Sequence, residues 1–392
     1  MKKIDIITFG NLNINTGVNK VIENFEAGEN IFRENSILIN KIVGFNKKTD
    51  KNEENTFKKK IKYILKGCLE KRSKRNKNVT FLLIYLKYIL RAKKTIKKYL
   101  NMKTEADVLI FNDIFSCSEY LKQIKINKKK IILILHTNGE TFKQIDIYYS
   151  NQSQKTKEYL KNLEKNVLEK VDKIIFVSKS SLEIFNTFYK EYSNKAIYIY
   201  NGIRDIEKQQ QINFNEKPLK FICVGTLNGR KGQELILETA IKLQKEIENK
   251  IIFYIVGGGP KYDEYQRKVK ELKLENIIIS LGNRDDIKEL LEKSHIFILT
   301  SFDEGLPIAI IEAMRAGLPI ISTKVGGIPE MFENNKEGFL IEPKIEDIEK
   351  VILKILNGKV DLEKLSYFSR KKYEENFALE TMIKKYAEVI NE

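Results

Sequence analysis

Short apolar runs recur along this chain, and a longer amphipathic stretch follows each of them. Such runs bury both of their faces, as strands do in a parallel sheet that is covered by helices. The pattern therefore predicts an alternating α/β fold with parallel sheets. The runs that carry it are residues 4–9, 108–111, 131–135, 174–177, 221–224, 251–256, 296–300 and 319–322.

The chain has 392 residues, more than one hydrophobic core usually serves, so two domains are predicted. Residues 205–217, DIEKQQQINFNEK, are polar and without periodicity, and a new apolar run follows them. We place the domain boundary there. The predicted domains are residues 1–204 and 205–370, and residues 371–392 form a helical tail.

The net charge of +17 is concentrated in one part of the chain. Residues 57–104 contain 17 lysines and arginines and one acid, Glu70, with apolar residues interleaved at near-helical spacing. A basic amphipathic helix is attracted to anionic lipid. We expect segment 57–104 to face a membrane. The alternatives are a surface that is rich in lysine without further meaning, and contact with nucleic-acid phosphates.

The amino end has a short apolar run interrupted by Asp5 and is predicted to be a strand, not a signal peptide. The run 79–86 is too short to cross a bilayer. We therefore expect a cytoplasmic protein, peripheral on the inner face of the membrane. With three dispersed cysteines, two histidines and no C-x-x-C or D-x-D pair, we expect no metal site and no tightly bound cofactor.

Ligands of open parallel sheets bind beyond the carboxyl ends of the strands, so residues that follow strands are site candidates. After run 221–224 comes GTLNGRKG, where Gly225 lets the backbone approach a ligand and Arg230 and Lys231 offer two cations to a diphosphate. A solvated turn that carries two bases is the alternative. After run 251–256 comes GGGP, in which Gly258 belongs to a tight turn with exposed backbone donors.

The segment after run 296–300, SFDEGLPIAIIEAMRAGLP, is the most informative. Pro307 suits the start of a helix and Gly317 its end, so residues 307–316 are predicted to be helical. The amides of Gly305 and Leu306 would point at an anion. This segment also carries two carboxylates, Glu304 and Glu312, and a further glycine pair follows the next run at residues 326–327.

Glu304 lies in the loop before this helix and Glu312 lies among its apolar residues. A carboxylate in such surroundings needs hydrogen-bond donors, which sugar or ribose hydroxyls supply. The alternative is an exposed pair between Glu312 and Arg315. The spacing alone leaves both interpretations open.

Three positions elsewhere follow or precede apolar runs. Gly17 closes the glycine loop after the first run, and His136 stands at the end of run 131–135 beside polar residues, which makes it a candidate for substrate contact. His295 precedes a buried run and is predicted to be a strand-entry residue without a chemical role.

The E-x₇-E pattern in EGLPIAIIEAM resembles the signature of the retaining glycosyltransferases of family four. It is accompanied in the family's order by VGTLNGRKG, VGGGP, LGNRDDI, STKVGGIPE and GFLI. The resemblance covers nearly all of the carboxyl-terminal half and is thinner in the first half. It implies a GT-B fold with two facing Rossmann-like domains and a final helix that packs back on the first.

The resemblance also implies an activity and its partners. The chain would transfer a sugar, with retention and without a metal, from a nucleotide diphosphate sugar, by default a UDP-sugar. The acceptor would be lipid-linked or membrane-associated, in cell-surface polysaccharide or lipopolysaccharide biosynthesis. The alternatives are a sugar-nucleotide epimerase on the same fold, a nucleic-acid-binding protein and a non-catalytic relative.

Roles for individual residues follow from the same resemblance. It implies that Glu312 binds the ribose, that Glu304 binds the hydroxyls of the transferred sugar, and that Lys231 neutralises the departing diphosphate. His136 would lie near the reacting carbon, and Gly17 near the donor phosphates.

The amides of Gly305 and Leu306, at the helix that begins with Pro307, would assist beside the sugar and the diphosphate. This chain has Thr226 where the family usually has an arginine, and Arg230 is the candidate to replace that cation.

Overall fold

The computed structural model describes residues 1–12, 17–45, 67–124, 126–206 and 211–392. It divides into two compact units. The amino-terminal unit comprises Met1–Ile199 and Ile383–Glu392, and the carboxyl-terminal unit comprises Tyr200–Met382. Each unit contains one six-stranded sheet.

The sheet of the amino-terminal unit is parallel throughout and has the order β2-β1-β3-β4-β5-β6. From β1 the chain continues to β2 on one side of β1 and then crosses to β3 on its other side. The topological switch point therefore lies between β1 and β3. The strands are β1 Lys2–Ile7, β2 Ile37–Val43, β3 Val108–Phe111, β4 Lys130–Leu135, β5 Lys173–Phe176 and β6 Ala196–Tyr198.

Helices connect these strands, and their apolar sides complete the core of the unit. The helices are α1 Gly17–Ala27, α2 Glu29–Glu34, α3 at residues 67–73, α4 Lys77–Ile84, a π-helical turn Tyr85–Ile89, α5 Leu90–Asn101, α6 Ile114–Gln123, α7 Lys143–Tyr148, α8 Gln154–Lys170, α9 Lys179–Phe188 and a 3₁₀ turn Lys190–Lys195. The end of the last helix of the chain also packs here, where Tyr386 meets the ring of Phe25 edge-on at 4.8 Å.

The sheet of the carboxyl-terminal unit is also parallel and has the order β12-β11-β10-β7-β8-β9. Its switch point lies between β7 and β10. The strands are β7 Leu219–Val224, β8 Ile251–Val256, β9 Ile278–Gly282, β10 Ile296–Leu299, β11 Ile320–Thr323 and β12 Gly338–Ile341.

The helices of this unit cover both faces of the sheet, as the right-handed crossovers of parallel strands require. They are α10 Gln233–Lys242, α11 Gln244–Ile247, α12 Tyr262–Glu271, α13 Ile287–Glu292, α14 Ile308–Arg315, a 3₁₀ turn Ile328–Glu330, α15 Ile345–Leu356, α16 Leu362–Asn376 and α17 Leu379–Asn391. α17 begins in the carboxyl-terminal unit, and its residues from Ile383 onward belong to the amino-terminal unit.

The predicted α/β class and the parallel sheets are confirmed, and each of the eight apolar runs forms a strand. The strands outside those runs are β2, β6, β9 and β12, which are the two edges of each sheet. Edge strands are covered on fewer sides, so they are less completely buried; β2, ILINKIV, is buried only at its two ends. By contrast, all four residues of the inner strand β3, VLIF, are buried.

The basic segment 57–104 is described from residue 67 onward, and residues 57–66 lie outside the described part. On α5, Ala92, Ile96 and Tyr99 are buried, whereas the lysines at 93, 94, 97 and 98 are exposed. The apolar side of α5 is therefore part of the protein core, and its lysine side faces outward. None of the described helices is both long and apolar enough to cross a bilayer.

Candidate functional site

Four loops of the carboxyl-terminal unit follow the neighbouring strands β8, β7, β10 and β11, around the switch point of the sheet. They are residues 257–261, 225–232, 300–307 and 324–327. The carboxyl ends of parallel strands meet at one edge of a sheet, so these loops form one surface. Hydrogen bonds and close glycine contacts join them to each other.

Glu304 stands at the centre of this surface and is 4% exposed. Its Oε1 accepts hydrogen bonds from Lys231 Nζ at 2.6 Å and from Ser301 Oγ at 2.7 Å. Its Oε2 lies 3.3 Å from a terminal nitrogen of Arg230. Two cations and one carboxylate thus meet in one cluster, which we call the Glu304 cluster, and its formal charge is +2 − 1 = +1.

Burial alone would raise the pKa of the Glu304 carboxyl. The nearby charges of Lys231 and Arg230 and the hydrogen bonds from Lys231 and Ser301 outweigh that effect, so the pKa is lowered. The carboxylate is therefore ionised at neutral pH and holds both cations at the sheet edge.

The loop after β7 is joined directly to the loop after β10. Phe302 N donates to Arg230 O at 2.8 Å, and Thr300 Oγ1 donates to Gly232 O at 2.7 Å. Gly232 has a φ of +66°, and a Cβ on it would lie 2.0 Å from Thr300 O. Only glycine fits this approach, which places Arg230 and Lys231 beside Glu304.

The loop after β11 packs against the loop after β10, which carries Glu304. Gly327 N donates to Gly305 O at 2.9 Å, and Thr323 Oγ1 donates to Ser301 O at 2.6 Å. A Cβ on Gly326, whose φ is +53°, would lie 1.7 Å from Glu304 O. The backbone of Glu304 is therefore held by a glycine contact from the neighbouring loop.

The loop after β8 completes the surface through Gly258. Its amide donates to Asn283 Oδ1 at 2.7 Å, and its carbonyl accepts from Leu227 N at 2.9 Å. Gly258 thus ties this loop both to the loop after β9 and to the loop after β7, close to Gly225. A Cβ on Gly225 would lie 3.4–3.5 Å from the methylene carbons of Lys231, so the lysine stem lies along this glycine.

Helix α14 begins directly after Glu304, Gly305 and Leu306. The predicted helix is confirmed with the bounds Ile308–Arg315, one residue shorter at each end than predicted; Pro307 is its amino-terminal cap residue, and Gly317, with a φ of +76°, follows its end. Glu312 is half-buried on α14, about 7.5 Å along the helix axis from Pro307. Arg315 donates to the backbone oxygen of Arg204.

His136 lies in the amino-terminal unit, after β4. Its Nε2 is 2.6 Å from Asn112 Oδ1, an atom that only accepts, so Nε2 carries the proton. Burial lowers the pKa of His136 to about 4, so the ring is neutral at neutral pH. Nδ1 is then a hydrogen-bond acceptor, which can pair with a ligand hydroxyl but not with a phosphate oxygen. Gly17 is the first residue of α1 in the same unit, and residues 13–16 of its loop lie outside the described part.

Asn112 and Asp113 were missed by the sequence analysis although they follow β3, at the switch point of the first sheet. Asp113 caps α6 by accepting from Ser116 N at 2.6 Å, and it accepts from Phe9 N in the loop after β1 at 2.9 Å. Polar residues directly after the buried run VLIF were the signal that would have identified them.

Burial raises the pKa of Asp113 from 3.8 to about 6. Between these values the folded protein binds the proton and the unfolded chain does not, so this group's contribution to stability falls as pH rises from about 4 to about 6. Over this pH range the wild-type protein is expected to lose roughly 3 kcal/mol of unfolding free energy through Asp113, and Asp113→Asn is expected to lack this loss. Urea unfolding at pH 4 and pH 7 measures it, with the exposed helix cap Asp361→Asn as the matched control. Equal pH slopes for Asp113→Asn and wild type would contradict the assignment.

His295 has the structural role that the sequence predicted. Its Nδ1 accepts from Lys220 N at 2.8 Å, and its own amide donates to Lys220 O, which joins the start of β10 to β7.

The structure unites several of the predicted site residues on one surface: Glu304, Lys231, Arg230 and the loops that hold Gly225, Gly258 and Pro307. His136 and Gly17 belong to the other unit.

Two parallel α/β units with this topology define the GT-B class of proteins. Solved structures of that class align along the whole chain. HepE of Anabaena, solved in complex with UDP and glucose, gives a TM-score of 0.68 at 15% identity over 100% of this chain and 99% of that one. At this identity the likeness concerns the fold alone.

Sequence comparison gives the family. Residues 205–374 match the sequence model for glycosyl transferases group 1, and residues 50–205 match the one for glycosyltransferase family 4. The chain belongs to glycosyltransferase family 4, as the E-x₇-E resemblance predicted.

Two curated relatives match in part. N-acetyl-alpha-D-glucosaminyl L-malate synthase of Bacillus anthracis is 27% identical over 58% of both chains. The UDP-Gal:alpha-D-GlcNAc-diphosphoundecaprenol alpha-1,3-galactosyltransferase of Escherichia coli is 33% identical over 37% of this chain and 38% of its own. The matches therefore span between about a third and three fifths of these relatives.

Proposed function

We propose that this protein transfers a sugar, with retention and without a metal, from a UDP-sugar to a lipid-linked or membrane-associated acceptor in cell-surface glycan assembly. The Glu304 cluster is the observation that carries the proposal. It brings two cations and a buried carboxylate together at the carboxyl edge of the sheet, where doubly wound folds bind nucleotides.

The charge of the cluster favours a diphosphate. Glu304 already neutralises one of its two cations, and the remaining +1 attracts a ligand anion. When a diphosphate pairs with Lys231 and Arg230, the carboxylate of Glu304 becomes available to accept hydrogen bonds from sugar hydroxyls. Arg230 reaches the same carboxylate as Lys231 does, which supports its assignment as the cation that replaces the arginine absent at Thr226.

The chemistry that fits this arrangement is a same-face displacement. The bond between the anomeric carbon and the diphosphate oxygen breaks, the acceptor oxygen bonds to that carbon, and the acceptor proton passes to the diphosphate. Lys231, Arg230 and the amides at the start of α14 stabilise the charge that develops on the leaving group. Neutral His136 would accept a hydrogen bond from a sugar hydroxyl.

The acceptor side of the proposal rests on charge and on the relatives. The four exposed lysines of α5 and the half-exposed Leu82 and Leu86 form a basic and partly apolar surface, suited to anionic lipid. The Escherichia coli relative is named for a lipid-linked diphosphate, GlcNAc-diphosphoundecaprenol.

Quadruple replacement of lysines 93, 94, 97 and 98 by glutamine is expected to lower binding to phosphatidylglycerol vesicles at least about tenfold. Vesicle sedimentation measures it, and unchanged binding would exclude this surface.

Donor binding tests the proposal directly. A panel of UDP-sugars is expected to raise the melting temperature, and Glu312→Ala is expected to abolish the rise, because Glu312 binds the ribose. Glu289→Ala, on the neighbouring helix α13, is the matched control. Equal stabilisation of wild type and Glu312→Ala would reject the ribose assignment. UDP release only in the presence of a sugar acceptor separates a transferase from an epimerase.

A further inference from the structure

A basic cavity of about 560 Å³ lies in the amino-terminal unit, at the edge of the sheet opposite to the one that carries His136. It is lined by the end of α6, the segment that leads into β4, and the junction of α8 and β5. The lining residues are Leu121, Ile124, Asn127, Lys128, Lys129, Lys130, Lys170 and Asp172. Because β4 spans six residues of about 3.3 Å each, the cavity lies roughly 20 Å from His136. It is therefore separate from the carboxyl edge of this sheet.

The lining carries four lysines and one acid, which gives 4 − 1 = +3. The Glu304 cluster, by comparison, carries +1. The acid of the cavity, Asp172, is held by the backbone, because its Oδ2 accepts a hydrogen bond from Ile131 N at 2.7 Å. Within the described part of the chain it forms no ion pair with the lysines, so the positive charge of the cavity is not cancelled by the protein.

The four ammonium groups of the cavity can all contact a ligand. Lys128 and Lys170 are exposed and, in the ranges that the structure describes, make no hydrogen bond or ion pair. Lys129 and Lys130 each donate to one backbone carbonyl oxygen, at 3.2 and 2.6 Å. A carbonyl oxygen leaves the formal charge in place, and an ammonium group has three N–H donors. Each of these two lysines therefore keeps its charge and further donors.

Lys130 shows that positive charge is crowded at this edge. Burial lowers the pKa of its ammonium group, and the charges of Lys2 and Lys173 lower it further, although Glu392 and Asp172 act in the opposite direction. A bound anion would offset both the burial of this charge and its repulsion by the other lysines.

Hydrogen bonds fix the segment that leads into β4. The hydroxyl of Tyr120 donates to Asn127 Oδ1 at 3.2 Å, and Asn127 Nδ2 donates to Lys129 O. Lys130 N donates to Asp107 O at 3.1 Å. Because the backbone of three of the basic positions is already ordered, less conformational entropy is lost when a ligand binds.

The charge and the volume of the cavity define the class of ligand. One terminal phosphate carries roughly −1.5 to −2 at neutral pH, so a charge of +3 calls for two phosphate groups. Lysine binds phosphate oxygens as a compact point charge. The volume lies within the roughly 300–1,000 Å³ of small-molecule sites, which leaves room for an organic part beside the half-buried Leu121 and Ile124. A concave site of this size favours a discrete soluble anion over the flat surface of a bilayer.

We propose that this cavity binds a soluble compound with two adjacent phosphate groups, which the four lysines of its lining hold. It is a second anion site of the protein, in addition to the Glu304 cluster. The binding does not rest on the proposed transferase function. Inorganic pyrophosphate is the simplest compound of this class.

Calorimetric titration of the full chain with inorganic pyrophosphate tests the site, in a Lys231→Ala background that weakens binding at the Glu304 cluster. We expect binding in that background. Lys128→Gln/Lys170→Gln is expected to weaken it at least about tenfold, because two of the three net charges are lost. Lys155→Gln/Lys157→Gln removes the same charge from the exposed side of α8 and is expected to change the affinity less than about twofold.

The four replaced lysines are exposed, so both double variants are expected to fold. Lys130 is left unchanged because its contact with Val389 O holds the end of α17. The same comparison in the wild-type background guards against unfolding of Lys231→Ala. Absence of pyrophosphate binding in the Lys231→Ala background, or an equal loss of affinity in both double variants, would overturn the proposal.

Vesicle sedimentation distinguishes a soluble anion from a lipid headgroup. Lys128→Gln/Lys170→Gln is expected to keep binding to phosphatidylglycerol vesicles within about twofold of wild type. A loss of vesicle binding of about tenfold with unchanged pyrophosphate affinity would assign these lysines to a membrane surface and reject the cavity as a site for a soluble anion.

Stabilisation of Lys128→Gln/Lys170→Gln by UDP-sugars reports on the donor site alone, because this variant keeps the Glu304 cluster. If no UDP-sugar stabilises it although the unmodified cavity binds pyrophosphate, the transferase is rejected and this site is kept. The reverse result would reject this site and keep the transferase.

Discussion

Lys231→Ala is expected to lower kcat/KM for sugar transfer by about 100- to 1,000-fold, the range typical for removal of one group that stabilises developing negative charge. Lys231 is 14% exposed and 2.6 Å from Glu304 Oε1, so its charge acts in a site with little water to screen it. Arg230 would remain, 3.3 Å from the same carboxylate, and would supply the residual activity.

The control for this variant is Arg284→Ala. Arg284 is a cation of the same unit whose bidentate partner, Asp286, is exposed. Its removal is expected to leave kcat/KM unchanged. Rates are normalised to folded protein from circular dichroism, because removal of one partner from a buried ion pair also lowers stability by roughly 3–5 kcal/mol. A Lys231→Ala enzyme within threefold of wild type would refute the role of Lys231 as the cation for the leaving group.

Gly326→Ala is expected to disrupt the donor site from outside the charged cluster. The new Cβ would lie 1.7 Å from Glu304 O, and the φ of +53° is itself unfavourable for alanine. The backbone of Glu304 must move, which displaces its carboxylate from Lys231. We expect a fall in melting temperature and at least about a tenfold loss of UDP affinity, since 1.4 kcal/mol corresponds to a factor of ten.

Gly358→Ala separates the effect of the steric contact with Glu304 from the cost of an alanine in a left-handed backbone conformation. Gly358 has a φ of +67°, and no atom lies within 4 Å of its added Cβ, so this variant carries only the cost of a left-handed alanine, about 1–2 kcal/mol. Calorimetry with UDP on both variants measures the difference. Should both lose the same stability and keep the same UDP affinity, the contact between Gly326 and Glu304 would have no part in donor binding.

The inner strands and the charged loops were predictable because both leave a local signal. A strand buried on both faces reads as a continuous apolar run, and residues that follow such a run reach the ligand edge of a parallel sheet. The sequence therefore predicts that Arg230, Lys231 and Glu304 lie near one another. The same reasoning, applied to VLIF, would have found Asn112 and Asp113.

The edge strands leave a weaker signal because they are short or incompletely buried. In β9, IISLG, only the first residue is buried, and β6 has three residues. Their pairing with β8 and β5 forms them, and that pairing is a tertiary contact. The sequence predicts that segment 57–104 faces a membrane, yet whether the apolar side of its helix α5 packs on lipid or in the core depends on neighbours far along the chain.

The sequence by itself determined the α/β class, the parallel inner strands and the set of residue types that follow them, since each depends on periodicity within a few residues. Only the tertiary structure decided that Glu304 contacts both cations at once and that Gly326 and Gly232 support the loops around it. It also decided that burial raises the pKa of Asp113 and lowers the pKa of His136. Ion pairing, steric contact and desolvation depend on distances between segments remote in sequence, and no local pattern encodes those distances.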